Sequence, residues 1–484
     1  MGPDLGRDGA VDLALATNEP RHATTQRVRG MSGNCHQDYP AMPNRHQTKA
    51  HRNAIAPRVR GMYVRARARV LSTGDGTMEL SSPPVMQWSD LPDDLLGLVH
   101  SMVASLRGRV RFAAICRSWR AAVSLHPTPP ALPLLLLSPR DWRTTEERSR
   151  RLYCPEDDNV LRVQLPSMLK LSYGSWINGS YDGGWIATGP IKSANLSPIM
   201  ILNLFSGAEV TLSKKQTRIS CPRYAPCPNF IWKIIFSEAP TSSSCILAAM
   251  ASGGCKIALC RIGCPDGGWT LEGYGMERLE DIIFFRGDLY GLTRFSESLF
   301  RFHIGVNDDG APVVMATHRL DVQMCDRPVT KRPRDYSAYI FELRGKLAMA
   351  VNAIWTQNGR RSFRVYELAG DGCTHIYKWS ELHNLGDYAL FLGSRSSSKA
   401  VQVPTCGGVE KNHIYYSKGC SLSAKQENEF TGESYLTRPV DGDSMHVREH
   451  RRFGDDDGDM VRIPSIGYYS LGSLAPMWCF PPDM

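Results

Sequence analysis

The residues able to do chemistry in this chain are its cysteines, one aspartate run and a few glycine pairs, and their spacing argues against a reaction centre. The 14 cysteines are scattered. None forms a C-x-x-C pair, and the tightest groupings are Cys221/Cys227 and Cys255/Cys260/Cys264. Zinc sites are ordinarily built on such pairs, which set two thiolates on one turn. No metal is therefore expected, and the thiols read as free and mostly buried in a reducing compartment. Asp455-Asp456-Asp457-Gly458-Asp459 has the composition of a calcium loop. No register of it supplies both the turn glycine and the closing glutamate, which leaves a solvated acidic loop. Gly273 and Gly275 lack the third glycine of a dinucleotide loop. The chain has no G-x-S-x-G elbow, H-E-x-x-H helix or G-x-x-x-x-G-K phosphate loop. Neither catalysis nor a cofactor is expected, and the chemistry to look for is recognition.

The first element suited to recognition lies between Trp88 and Val123, where the pattern is helical. Ser89 or Asp90 can cap, Pro92 suits a first helical turn, and Asp93 and Asp94 complement the positive end of the helix dipole. Leu91, Leu95, Leu98, Val99, Met102 and Val103 follow at helical spacing. Gly108 is expected to break the run, and a second helix to follow with Val110, Ala113, Ala114 and the region from Cys116 to Trp119 on its apolar face. A unit of about 40 residues is too small to be very stable alone.

After Pro130 the grammar changes to β. Short apolar runs, among them 134–137, 185–188, 245–250, 281–285, 346–351 and 388–392, are separated by turn signals. These signals include Asp182-Gly183-Gly184, Asp266-Gly267-Gly268, Arg286-Gly287-Asp288 and Arg344-Gly345. Such a rhythm predicts an all-β body. A single sandwich takes roughly 100 residues, far fewer than residues 130–484 provide. Radial repetition of four-stranded blades absorbs that length while keeping edges short. The predicted fold is thus mainly β: a β-propeller over 130–484, preceded by a small all-α module at 87–126 and a basic tail at 1–86. The repeat is too degenerate for the blade number to be read. Trp478-Cys479-Phe480 follows a polar, Asp-rich stretch. It is expected to close the ring against the first β segment, 134–137, or a neighbour in the same blade, because a propeller must join its first and last blades.

The formal net charge is +9, and its positive excess is densest in the tail. Between Glu19 and Asp75 the only acidic residue is Asp38, against a series of arginines that includes both copies of RVRGM, at 27–31 and 58–62. Residues 1–86 have no sustained apolar period and are expected to be disordered. A nuclear-import or RNA-binding arm and a simple solvated tail are both open readings, with clustered charge alone favouring the tail. Lys331-Arg332-Pro333-Arg334 reads as an exposed connection rather than an import signal. No apolar run reaches the roughly 20 residues of a spanning helix. The first residues carry no signal-peptide core, and Gly6 stands where a myristoylation motif needs Ser or Thr.

Leu91-Pro92-Asp93-Asp94-Leu95-Leu96, followed by Val110-Arg111-Phe112-Ala113-Ala114-Ile115-Cys116-Arg117-Ser118-Trp119-Arg120, resembles the F-box. In that family the module docks on the SKP adaptor of an SCF-type ubiquitin ligase, an apolar helical ridge meeting a groove. The resemblance implies an adaptor-binding set of Leu91, Pro92, Leu95, Leu96, Val99, Ile115, Cys116 and Trp119. Further segments, at 201–207, 280–290, 385–393, 412–416 and 478–482, are similar to plant F-box proteins of the kelch-like group. The C-terminal domain of those proteins, formerly of unknown function, is a β-propeller. Asn203-Leu204 stands where that family has Asn-Pro.

The likeness implies the substrate-recognition subunit of an SCF-type E3 ligase. It would bind an SKP-type adaptor and cullin through the F-box and an unnamed target protein through the propeller. It would work in the cytoplasm and/or nucleus, without membrane and without an expected nucleic-acid partner. The alternative is a non-enzymatic scaffold or inhibitor whose F-box no longer binds the adaptor. A propeller enzyme is a third reading, and convergent carboxylates or a metal in the central channel would support it.

Overall fold

The computed structural model describes residues 88, 91–103, 105–126, 131–137, 149–156, 158–164, 175–190, 198–219, 231–251, 256–264, 266–273, 277–324, 327–328, 336–355, 361–370, 376–403, 408–419, 436–440, 445–450, 463–470 and 476–482. The expectations for the tail at 1–86, for Ser89, Asp90, Cys221, Cys227, Cys255 and Gly275, and for the segments 331–334 and 455–459 lie outside the described residues.

Three helices, rather than two, open the described chain: α1 (Asp93–Met102), α2 (Leu106–Ala114) and α3 (Arg117–Leu125). Pro92 is the N-cap of α1, not a first-turn residue. Gly108 does not break a helix either. It sits in the first turn of α2, where its N–H would otherwise be orphaned, and donates to the Oγ of the N-cap Ser105 at 3.0 Å. The chain turns instead at Val103 and Cys116, both extended. Leu96, Phe112 and Ala122 form the small core, with Leu91, Val103, Trp119 and Val123 against it.

The rest is β. The first sheet holds β1 (Leu134–Leu136), β2 (Ser149–Cys154) and β3 (Asn159–Gln164). The second is β4 (Ser175–Tyr181), β5 (Trp185–Pro190), β6 (Met200–Asn203) and β7 (Glu209–Val210). The third is β8 (Ile231–Phe236), β9 (Ile246–Ala251), β10 (Lys256–Arg261) and β11 (Thr270–Gly273). The fourth is β12 (Leu279–Phe285), β13 (Asp288–Thr293), β14 (Leu299–Val306) and β15 (Pro312–Leu320). In the fifth, β16 (Val322–Met324) pairs in parallel with β20 (Tyr377–Leu382). Antiparallel β19 (Arg361–Gly370), β18 (Lys346–Ile354) and β17 (Ser337–Leu343) follow it across the sheet. The sixth contains β21 (Tyr388–Gly393), β22 (Lys399–Gln402), β23 (Ile414–Gly419), β24 (Leu436–Val440), β25 (Met445–His450) and β26 (Ser465–Ser470). There β21, β23 and β26 run parallel. Finally β27 (Met477–Cys479) returns to the first sheet as its fourth strand.

Local sequence accounts for much of this order. Arg286-Gly287 and Arg344-Gly345 form two-residue hairpins in which both residues have positive φ, the backbone that suits strand twist. Asn203, followed by Leu204 rather than a proline, organises the turn after β6. Its Nδ2 donates to the Gly183 carbonyl at 2.7 Å, and its Oδ1 accepts from the N–H groups of Phe205 and Ser206. Strands β9 (ILAAMA) and β18 (KLAMAVNAI) are nearly continuous apolar runs because sheets cover both their faces.

The packing makes a ring. Six apolar clusters each join two successive sheets. One fuses the sixth sheet to the first, through Phe391, Tyr415, Tyr468, Leu135, Tyr153 and Trp478. The strands β27, β4, β8, β12, β17 and β22 stand at the inner edge of their sheets. This is a β-propeller. Its closure is as expected from the sequence: Leu134, Leu135 and Leu136 pair with Cys479, Trp478 and Met477. The Gly184 N–H also donates to the Phe480 carbonyl at 2.6 Å, which ties the chain's end to the second sheet.

Candidate functional site

Two places combine accessible side chains with a defined architecture: the surface of α1–α3 and the mouth of the propeller channel. In α1, the Leu96, Gly97 and His100 face is buried. The remaining apolar residues have nowhere to pack. Leu95, Leu98, Val99 and Met102 are exposed, the second of them by 59%. Val110 of α2, Ile115 beyond it and Leu125 of α3 are exposed as well. Trp88 precedes the helices with 75% of its surface in solvent. Of the eleven large apolar residues exposed in the described chain, eight lie in this module. A helix that is apolar on both faces is one that expects a second partner.

The module is built to hold that surface still. Trp119 lays its ring on Phe112, centroids 4.3 Å apart, and its Nε1 donates to the Trp88 carbonyl at 3.2 Å. Buried Arg109 donates through Nε to the Val103 carbonyl at 3.0 Å, next to the end of α1. Leu106 packs on the first sheet's cluster around Leu134 and Leu136. Of the residues implied for adaptor binding, Pro92, Leu95, Val99 and Ile115 are exposed, while Leu91, Cys116 and Trp119 are half-buried. Leu96 has no exposed surface and belongs to the module's core. Leu98, Met102 and Val110 were absent from that set yet share the exposed face. Their signal was the helical period itself, which placed apolar residues on more than one stripe.

The second place lies where the inner strands β8, β12 and β17 begin. A cavity of about 300 Å³ is lined there by Trp232, Arg278, Glu280, Asp281, Arg294, Ser337 and Tyr339, among others, and by Ser394 just after β21. Asp281 of β12, in this lining, forms an ion pair with Lys233 of β8, both buried. Asp281 also accepts from the N–H groups of Ile282 at 2.8 Å and Ile340 of β17 at 3.1 Å. One carboxylate thus ties three neighbouring inner strands. Burial pushes its pKa up, against the pull of Lys233 and the two N–H donors. Glu280 pairs with Arg294 Nε at 3.1 Å. Burial raises its pKa to about 7, opposed by Arg294, Arg278 and Lys418 and assisted by Asp281. Arg395 stands 5.1 Å from the centre of the Trp232 ring, and burial lowers its pKa to about 9.

Among the described residues, no three His, Cys, Asp or Glu side chains are grouped to hold a metal. The thiols of Cys245 and Cys260 are pushed up to about 11 and about 12 by burial, which makes them poor nucleophiles. No described helix is long and apolar enough to cross a membrane.

Comparison with known proteins follows the same division. A curated protein of Arabidopsis thaliana, "Putative F-box protein At3g25750", is 22% identical over 355 residues, covering 68% of this chain and 87% of its own. Among solved structures, the Cps50 (Swd1) β-propeller domain of Myceliophteria thermophila aligns at a TM-score of 0.30 and 11% identity, over 72% of this chain and 96% of that one. The periplasmic gluconolactonase PpgL of Pseudomonas aeruginosa aligns at 0.29 and 11%, over 67% and 80%. At such TM-scores these two likenesses carry no argument. The KIB1-4 beta-propeller family model, in contrast, matches residues 152–447, from β2 to within β25 and more than half of the chain. The chain therefore belongs to the KIB1-4 β-propeller family.

Proposed function

We propose that this protein is the substrate-recognition subunit of an SCF-type ubiquitin ligase. Its helical module docks on an SKP-type adaptor and through it on cullin, and its propeller holds the target protein. The subunit does no chemistry of its own. It raises the local concentration of target lysines at a conjugating enzyme carried by the assembly, which is catalysis by proximity. It works in the cytoplasm and/or nucleus.

The observation that carries this reading is the concentration of exposed apolar side chains on α1–α3, at and around the residues of the F-box pattern. A closed propeller has little apolar surface to spare, and here only Val306, Met315 and Ile376 are comparably exposed among its described residues. The likeness to an F-box protein of Arabidopsis thaliana supports the same reading.

The test is co-purification of the full chain with an SKP-type adaptor. Leu95→Asp combined with Val99→Asp should abolish it while leaving the melting temperature unchanged, because both side chains already face water. Leu91→Ala with Pro92→Ala should weaken it too, by loosening the start of α1. A wild-type chain that fails to retain any SKP-type adaptor would end the receptor reading and leave a scaffold or inhibitor.

A further inference from the structure

On the reading that the propeller holds the target, we propose that the mouth of its channel is a docking pocket for one uncharged aromatic side chain of that target. Three successive inner strands are irregular near this mouth. Each carries one extra residue, skipped in the pairing with the following strand: Asn178 in β4, Trp232 in β8 and Glu280 in β12. Bulges of this kind occur beside functional sites, where they re-aim a side chain. Trp232 and Glu280 both line the cavity. Asn178 is fully buried, and its Nδ2 donates at 3.1 Å to the carbonyl of Ile231, the residue just before Trp232. Ser394, also in the lining, directly follows β21. Ser397 of the same connection anchors it by donating from Oγ to the Ser180 carbonyl of β4 at 2.8 Å. The cavity, about 300 Å³, matches the lower end of small-ligand sites, roughly 300 Å³ and upward, which suits one side chain rather than a folded element.

The pocket's charges decide what enters it. Asp281 is matched by Lys233, and Glu280 by Arg294 Nε at 3.1 Å. Arg278 and Arg395 have further partners of their own. An acidic or basic side chain entering here would give up its hydration and meet no vacant counter-charge among the described residues. A paired guanidinium, in contrast, still offers its flat face, and a ring can stack on it. Two arginines at the mouth already stack in this way. Arg294 stands 5.0 Å from the centre of the Phe295 ring, and Arg395 stands 5.1 Å from that of Trp232. The remaining walls suit a ring as well. Met250 and Leu279 are buried in the lining, where a thioether packs well against an aromatic edge. Trp232 and Tyr339 supply aromatic neighbours.

The experiment is a ligand-observed NMR titration of the full chain with three capped peptides: N-acetyl-Gly-Phe-Gly-amide and its counterparts with Leu or Glu in the centre. The Phe peptide should bind saturably. The Leu peptide should bind about fivefold more weakly, the worth of an aromatic pair beyond its buried area, and the Glu peptide should not saturate. Added salt should leave the Phe peptide's affinity unchanged, because no ion pair forms. Ser394→Trp, at the half-buried rim, should fill the pocket and abolish binding. Trp232→Ala should weaken binding and Trp232→Phe should retain it, a comparison that still reads the pocket if Ser394→Trp folds poorly. Absence of saturable binding by the Phe peptide, equal binding by the Leu or Glu peptide, or unchanged binding by a folded Ser394→Trp chain overturns the pocket. Adaptor co-purification is measured separately. A chain that keeps the adaptor and binds no peptide loses the pocket alone, and one that binds the Phe peptide without the adaptor loses the receptor reading alone.

Discussion

Trp478→Ala tests whether the last strand holds the ring shut. Trp478 has no exposed surface and lies opposite Leu135 in the β1–β27 ladder. It meets Phe391 edge-on at 5.0 Å and Tyr468 at 5.5 Å, so the last strand touches the sixth sheet as well as the first. Its Nε1 donates to the Leu392 carbonyl at 3.0 Å. A buried aromatic of ~150–250 Å² at ~25 cal/mol per Å² contributes about 4–6 kcal/mol. Alanine keeps a little of that and the neighbours relax partly, which leaves the usual loss of about 3–5 kcal/mol. The lost hydrogen bond falls within this range, since its net worth is about 1 kcal/mol. For a cooperative body of about 350 residues the unfolding entropy is ~0.7 kcal/mol per degree, so the melting temperature should fall by about 5 °C. Calorimetry and urea unfolding should agree on this. Trp88→Ala, at an exposed position, is the control and should change nothing. Deleting residues 476–484 should do worse than Trp478→Ala, because ladder hydrogen bonds go as well. A Trp478→Ala protein that melts within about 1 °C of wild type, with a deletion that does the same, would refute closure by β27.

Two further perturbations test buried charge. Lys233→Met strands the Asp281 carboxylate and should cost about 3–5 kcal/mol in urea unfolding. Because burial already raises Asp281, its folded pKa lies above the unfolded one. The variant should therefore lose stability as pH rises above the unfolded carboxylate range, and Lys233→Met with Asp281→Asn should recover part of the loss. A variant as stable as wild type across pH would show that the pair is dispensable. In the helical module, the His100 ring is wholly buried and neither ring nitrogen has a hydrogen-bond partner. Burial, then Arg109 and His126, lowers its pKa. The unfolded chain binds the extra proton first, so the module should weaken as pH falls below about 6.5. His100→Leu should flatten that dependence, as read by adaptor retention or module melting against pH, and an unchanged acid profile would exclude His100 as its cause.

The architecture was legible where the sequence carries local rules. The Arg-Gly pairs at 286–287 and 344–345 made hairpins because only a positive-φ turn joins strands that closely. The strands β9 and β18, second from the inner edge, were visible as apolar runs because they are covered on both faces. Outer strands were not. The half-exposed pattern of β15 (PVVMATHRL) and the short, polar β11 (TLEG) read as loop until a neighbouring strand supplies their hydrogen bonds. In the helices, Gly108 looked like a breaker because propensity is an average over helix interiors, whereas a first-turn glycine capped by Ser105 breaks nothing. Apolar spacing marked α1 as helical, and it could not say which of its two apolar stripes faces the core. Leu96 went inside and Leu98 and Met102 stayed out, because Phe112 and Ala122 cover one side of α1 only.

By itself the sequence determined the class of each region: a helical recognition module, a mainly β body, and a chain end whose aromatics need burial. These follow from periodicity, turn chemistry and apolar content, all local properties of the chain. The tertiary structure alone decided how many sheets form the ring and that β16 pairs in parallel with β20, β21 with β23 and β23 with β26. It alone brought Arg278, Glu280 and Arg294 to the same end of the channel as Trp232 and Ser394. The physical reason is common to these results. The parallel pairings and a convergent site depend on contacts between residues distant in the chain, and neither a local hydrophobic period nor a turn signal records which distant edge a strand will meet.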